Sequence, residues 1–490
     1  MGDSSTTYKK IGKEIGFSYG ITILQLLLAP LIVAMLTRVL TPGRYGAYVL
    51  FAAFISFGAM VLQMGMSQFF LTKLHSYKEK KWPIVFFSIL SSVFAILVSF
   101  SVVFYFTPIA GFFLQHAKLA GYSTILGLSL IAIIFVTLGR IYDYYYKARQ
   151  KINIANFMEL FRTQGLALPL LFLYIFYGQF NLAHVFIAWI AFSLLSLVIY
   201  AWLDKKDISA FFTSGISFAE IPPAYKFSLP IALSAVFGWV LAYSDRFILS
   251  AYTSTAVVGI YSVAGSILGI LLTFSVAVSN VIVPYFAEAW WKNKKKYGLY
   301  LNALLKYGFF ILIPGIVGAI ALRHELVTLL AGPQYLGAAP IVIILSPYPI
   351  FAFLNGIFGV SLFLQDKPRL ALYLSFIGAA IDIGLALLLV PVYGMKGAAA
   401  ALVLGNLFIF AALFYSSKSA GLVNLRFMKL GQVLFSALAM GAVLMFLHPE
   451  NIVQKLLTLL FGGGIYFALI FLTKTFDQGE LKVIKSLFSK

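Results

Sequence analysis

About fourteen stretches of roughly 18 to 25 apolar residues run the length of this chain, and the short loops between them are alternately basic and nearly uncharged. No other feature restricts the fold as much. A run of about 20 apolar residues matches the hydrocarbon thickness of a bilayer, and loops rich in Lys and Arg stay in the cytoplasm. Length and charge alternation together give a polytopic membrane protein, its span count and its orientation.

Composition points the same way. Of 490 residues, 61% are hydrophobic and 11% charged, where a soluble domain carries about 25% charged residues. Lipid must solvate that apolar surplus. Lipid-facing backbone must satisfy its own polar groups, which helices do locally, and the runs are too long and continuous for barrel strands. The expected spans are 15–40, 47–72, 83–106, 121–146, 154–177, 182–203, 226–252, 257–288, 301–322, 340–364, 369–390, 396–416, 430–447 and 454–473. Pro42, Pro83, Pro108, Pro340 and Pro368 stand at or near span ends, whereas Pro30, Pro169, Pro230, Pro284 and Pro314 fall inside spans and predict kinks. The polar stretch before the first span has no cleavage pattern after it, so that span is expected to be retained. Cysteine is absent, which removes disulfides, thiolate metal sites and cysteine catalysis.

With the N-terminus placed inside, 26 of the 36 Lys and Arg fall on one side, six on the other and four within spans. The basic side includes Lys9, Lys10, Lys13, Lys482, Lys485 and Lys490, so both termini are expected in the cytoplasm and the chain in the inner or plasma membrane. The net charge of +20 is thus mainly a topology signal. It is scattered over many loops, which argues against nucleic-acid binding and for contact with anionic lipid headgroups.

The chain also resembles itself. Tyr45-Gly46-Ala47-Tyr48 matches Val258-Gly259-Ile260-Tyr261 at an offset of 213; Phe176-Tyr177-Gly178 matches Val392-Tyr393-Gly394, and Arg149-Gln150-Lys151 matches Gln365-Asp366-Lys367, both at 216. A duplication of six spans, an even number, places the halves parallel about an axis along the membrane normal. The expected architecture is an all-α membrane protein of two six-helix lobes plus two extra C-terminal helices. The boundaries are 1–203, a cytoplasmic linker 204–225, 226–416, and 417–490 with the extra spans and a basic tail. The Gly462-Gly463-Gly464 run in the last span favours close helix contact or a kink.

Several of these residues carry a resemblance. Thr37-Arg38-Val39-Leu40-Thr41-Pro42 followed by Tyr45-Gly46-Ala47-Tyr48 resembles the opening motif of the polysaccharide-biosynthesis flippases, the oligosaccharide-lipid exporters of the MATE-like MOP superfamily. Ser244-Asp245-Arg246-Phe247-Ile248-Leu249 with Gly259-Ile260-Tyr261-Ser262-Val263-Ala264 resembles their seventh-span motif, and Gln365-Asp366-Lys367 with Pro391-Val392-Tyr393-Gly394-Met395-Lys396-Gly397-Ala398-Ala399 their eleventh-span region. The resemblance covers roughly 15–470. It implies six plus six helices, often with two more, and transbilayer movement of a glycan carried on a polyprenyl diphosphate.

Charged side chains inside a membrane cost about 2.5–3.5 kcal/mol on insertion scales and ask for a partner or a wet cavity. Arg246, Arg162, Lys306, Arg140 and Asn355 are therefore the substrate-binding candidates, since cations compensate a diphosphate and Arg does so in bidentate fashion. Each has a structural reading beside it. Adjacent on their helix, Asp245 and Arg246 point about 100° apart and need not pair with each other. Glu159 and Arg162 stand i, i+3 and suit a local pair, as do Arg140, Asp143 and Lys147. Lys306 is one to two turns into its span and suits snorkelling to the cytoplasm. Tyr142, Tyr144, Tyr145 and Tyr146 fit an interfacial aromatic belt.

Asp382, mid-span with no local cation, suits proton or Na⁺ coupling or a neutral structural role. Asp245 and Glu159 are further coupling candidates. Gln25, Gln63, Gln68, Asn280, Asn355 and Asn406 either line a cavity or join helices, and Glu288 reads as interfacial. His75, His116, His184, His324 and His448 are scattered, and neither a metal cluster nor a catalytic pair emerges. The reading is a flippase without cofactor, whose partners are a lipid-linked glycan, membrane lipids, a coupling H⁺ or Na⁺, and glycan-assembly machinery. Two others remain open: a MATE-type cation-coupled drug or metabolite antiporter, and, less favoured, a membrane glycan polymerase, which needs a larger outer loop than 107–120.

Overall fold

The computed structural model describes residues 20–21, 24–25, 27–447 and 449–476, without the side chains of 210, 230, 231, 234, 274–285, 287 and 427. The terminal lysines, both chain ends, His448 and the side chains of Asn280, Pro230 and Pro284 lie outside the described residues. Among those described, secondary structure is helical. Ten helices are long and apolar enough to cross a bilayer, or eleven when one bent pair is counted as a span. Two shorter apolar helices, Leu27–Val39 (α1) and Leu430–Met445 (α20), and the 32-residue Ile221–Tyr252 (α11) cover the remaining expected spans.

Two compact units emerge, 1–259 and 260–490. The first holds α1, α2 (Pro42–Leu62), α3 (Met66–Lys73), α4 (Trp82–Phe106), α5 (Pro108–His116), α6 (Ser123–Ala148), α7 (Ile152–Gln164), α8 (Ala167–Tyr177), α9 (Leu182–Leu203), α10 (Lys205–Ser214) and α11. Its centre is α6, which packs on α2, α3, α4, α7 and α9. Helix α11 lies against α2, α3 and α4. Helix α11 therefore belongs to the first unit, which ends at Gly259. The segment 204–225 is itself largely ordered as α10, packed on α4 and α9.

Helix α12 (Thr255–Lys292) begins in the first unit and continues into the second. The second unit adds α13 (Lys294–Ala321), α14 (Arg323–Leu330), α15 (Ala339–Leu345), α16 (Tyr348–Leu364), α17 (Pro368–Tyr393), α18 (Met395–Ser416), α19 (Leu425–Met428), α20 and α21 (Ile452–Leu472). Helix α18 packs closely on α17 because glycines remove side chains from the seam. A Cβ at Gly397 would meet the Leu389 carbonyl at 2.4 Å, and one at Gly378 the Ile409 side chain at 2.2 Å. The last two helices dock on α13 through a buried cluster of Phe310, Leu322, Val433, Ala437, Met440, Leu444, Tyr466 and Ile470.

Two expected continuous spans are interrupted and a third is loosened. The second breaks at Met64 and Gly65, both with positive φ (49° and 71°). The fifth loosens at Gly165–Leu166, both still right-handed helical, with Pro169 in the first turn of α8, and 152–177 stays one 26-residue apolar segment. The tenth bends by 46° between α15 and α16 at Ser346–Pro347. Chain composition permits these departures, since glycine tolerates left-handed backbone and proline cannot donate.

Candidate functional site

The charged candidates divide by environment. In the first unit, Arg162 is fully enclosed. Its Nη1 donates to Asp143 Oδ1 (3.3 Å) and its Nη2 to Asp143 Oδ2, a forked contact between α7 and α6. Tyr200 on α9 donates its hydroxyl to the same Oδ1 at 2.8 Å. Gly139, one turn before Asp143, makes the room: a Cβ there would sit 2.6 Å from Arg162 Nη1. The local pairings expected from spacing do not form. Glu159 instead meets Lys147 at 3.1 Å near the helix ends, because α6 and α7 are antiparallel neighbours and cross-helix geometry outweighs the i, i+3 option. Arg140 is half-buried on α6, two residues before the Tyr142 that stacks on Tyr200.

Three of the four clustered tyrosines face the interior of the unit and only Tyr144 stays half-exposed. Tyr142, Tyr145 and Tyr146 are buried. Tyr142 stacks on Tyr200 (4.9 Å, 9°) and Tyr145 on Phe86 (3.9 Å, 15°). Beneath them Arg149 reaches Asp204 (3.2 Å) and Asp207 (2.9 Å), and Tyr146 donates to Asp204 at 2.8 Å. Asp204 lies just past the end of α9. Burial pushes its carboxyl above the usual carboxylate range, partly offset by Tyr146 and Arg149.

Asp245 and Arg246 on α11 do pair. Asp245 Oδ1 accepts from the Arg246 backbone N–H (2.8 Å) and from Nη1 (3.1 Å), which also donates to the Ala242 carbonyl at 2.7 Å. The guanidinium folds back along its own helix, over the Tyr243 ring, so the 100° between Cβ directions is bridged by side-chain length. Its side chain keeps 17% exposure while Asp245 is buried.

In the second unit, α13 starts at Lys294, seven residues before the expected boundary. Lys306, about 18 Å along this helix, does not extend to the helix end but is fully buried beside the rings of Tyr307 and Phe310. Asp382 is buried on α17 against Gly405 of α18, whose Cβ would lie 2.9 Å from that of Asp382. The next residue, Asn406, accepts at Oδ1 from Asn355 Nδ2 (3.2 Å) and donates to the Leu402 carbonyl (2.9 Å). Asn355 and Asn406 thus join α16 to α18, and Asp382 lies one residue away on the third helix. Glu288 is exposed and paired with Lys292.

Sequence reading missed an apolar groove of about 440 Å³ in the second unit. Leu271 of α12, Pro314 and Gly318 of α13, Met440 of α20, and Gly463 and Phe467 of α21 are among its walls. The polar wall atom Tyr466 Oη is occupied, donating to the Phe310 carbonyl at 2.9 Å. Phe310 also lines the groove, one turn from Lys306. The clue in sequence was the Gly462-Gly463-Gly464 run. Gly462 packs on Leu444, whereas a Cβ at Gly463 or Gly464 would meet nothing within 4 Å. No group of three or more His, Asp or Glu that could hold a metal occurs among the described residues.

A sequence profile described as polysaccharide biosynthesis protein matches residues 35–340. The chain belongs to this family. An uncharacterized membrane protein of Methanocaldococcus jannaschii is 23% identical over 469 residues, covering 90% of this chain and 91% of that one. A probable low-salt glycan biosynthesis flippase of Haloferax volcanii is 24% identical over 54% of this chain and 57% of its own length. The fold is similar to that of the lipid II flippase MurJ in an inward closed conformation, with a TM-score of 0.76 at 18% identity over 93% of this chain and 98% of that one. An inward-facing multidrug resistance MATE transporter of the MOP superfamily follows, at 0.61 and 14% identity over 87% and 98%. This family member thus has the fold of these membrane proteins, with ten described helices long and apolar enough to cross a bilayer.

Proposed function

We propose that the protein flips a polyprenyl-diphosphate-linked oligosaccharide from the cytoplasmic to the outer leaflet, by alternating access of two helical lobes in a fourteen-span chain. The observation that carries this reading is the apolar groove of the second unit. A headgroup carried across hydrocarbon needs a polar path, but its prenyl tail needs an apolar one, and a groove walled by α12, α13, α20 and α21 supplies it. A carrier of small hydrophilic solutes has no use for such a space.

Lys306, one turn from the groove on α13, is the cation nearest the tail and suits the diphosphate once the site opens. Arg246 and Arg140, which keep partial exposure, suit further phosphate or sugar contacts, with Asn355 as a neutral one. Arg162 is the least suited, being forked onto Asp143, whose carboxylate also accepts from Tyr200. Asp382, buried on α17 against Gly405 of α18, suits H⁺ or Na⁺ coupling, with Asp245 and Glu159, paired to Arg246 and Lys147, as further candidates. Cytoplasmic termini and a plasma-membrane location follow from the charge count.

The test is depletion of the protein followed by analysis of lipid-linked intermediates. Their build-up on the cytoplasmic face supports the reading. Normal glycan with altered drug sensitivity would instead identify an antiporter.

A further inference from the structure

Two glycines singled out by the internal repeat touch each other. Gly46 is in the first turns of α2, and Gly259 in the first turns of α12. A Cβ on Gly46 would fall 1.7 Å from the Thr255 carbonyl oxygen and 2.9 Å from Gly259 N. A Cβ on Gly259 would fall 2.2 Å from the Pro42 carbonyl oxygen and 3.1 Å from Gly46 N. The contact is symmetric under the offset read from sequence, since Pro42 and Thr255 are separated by 213 residues, as are Gly46 and Gly259. Each carbonyl points into the space where the other helix lacks a side chain, so a local two-fold passes between the helix starts. Duplicated segments crossing on their own two-fold have nowhere to place a side chain, because any atom added to one meets its counterpart.

Other loops of the same, less basic face grip this crossing. Lys118 Nζ donates to the Thr253 carbonyl at 2.6 Å, and Ser250 Oγ to the Ala117 carbonyl at 2.6 Å. The turn joining α11 to α12 is thereby held by the loop between α5 and α6 as well as by α2.

We infer that the Gly46–Gly259 crossing is a seal on the outer face, shut by backbone against backbone, which must part in every transport cycle. It rests on the transport reading above for its purpose, but not for its geometry. Glycine at both positions is what lets the seal close, and the neighbouring Lys118 and Ser250 bonds are broken when it opens.

The native chain has no cysteine, so an introduced pair reports without background. A Cβ on Gly43 would lie 3.6 Å from Thr255 Oγ1, the position a cysteine sulfur would take at 255, so side chains at these two positions meet and a cysteine pair there is within reach of a disulfide. In G43C/T255C with a protease site added in 204–225, mild oxidation is expected to hold the two fragments together after cleavage. Export is expected to be lost on oxidation and regained on reduction of the same protein, which excludes misfolding as the cause. Adding G46A to this pair is expected to lower the yield of cross-link at unchanged protein level. Failure of the pair to cross-link, full export by the oxidised protein, or an unchanged yield with G46A would each overturn the inference. The yields need no substrate. If depletion leaves lipid-linked intermediates undisturbed, the substrate reading fails while the seal is still tested.

Discussion

Arg162 decides between two uses of a cation inside a membrane protein, and its removal has a calculable consequence. The guanidinium is enclosed, forked onto Asp143, with Tyr200 on the same carboxylate. R162A leaves a buried carboxylate facing one hydroxyl, and breaking a buried pair in this way costs about 3–5 kcal/mol. A cavity-lining cation would behave otherwise, since substitutions away from such networks stay within about 0.5 kcal/mol. R162K keeps the charge but loses the fork and should fall between these limits. D143L/R162L removes both charges and should recover much of the loss, but leaves the Tyr200 hydroxyl without its acceptor, worth about 1–3 kcal/mol. Y200F in the same background should restore that part. Thermal unfolding of the purified variants in detergent, with export measured in parallel, reads the series. An R162A protein that unfolds like the parent yet exports nothing would refute the structural assignment and return Arg162 to the substrate.

The remaining predictions address other sites. G139A places a Cβ 2.6 Å from Arg162 Nη1 and should destabilise by about 1–3 kcal/mol, the usual range for overpacking, by the same thermal assay. Gly463 lines the apolar groove and a Cβ there would meet nothing within 4 Å; with G463L export should fall with thermal stability preserved, and unchanged export would remove the groove from the path. The Lys147–Glu159 pair is partly exposed, so K147A should cost under about 1 kcal/mol. Asp204 titrates above the ordinary carboxylate range in the fold. The unfolded chain therefore loses that proton first, and its contribution makes stability fall as pH climbs from the ordinary range to the raised one. D204N keeps the acceptor for Tyr146, leaves Asp207 on Arg149, and should flatten this part of a pH–stability profile.

The sequence by itself determined the class of fold, because hydrocarbon length and the need to satisfy backbone locally leave few options to a chain this apolar. Motif residues read as a resemblance led to the family that the profile match establishes. The offset of 213, visible in a few Gly and Tyr positions, also marked two glycines that meet in space. Tertiary structure alone decided which charges are engaged and by whom. Asp143 takes Arg162 from another helix rather than a neighbour on its own, and Glu159 takes Lys147. Lys306 is buried beside two aromatic rings instead of reaching out along its helix. Tyr142 and Tyr145, which read as part of an interface belt, stack inside the first unit. The physical reason is common to all of these. Spacing along a helix lists the partners within reach on one surface, but the energy of a buried charge is set by whichever helix packs against it, and that neighbour comes from elsewhere in the chain.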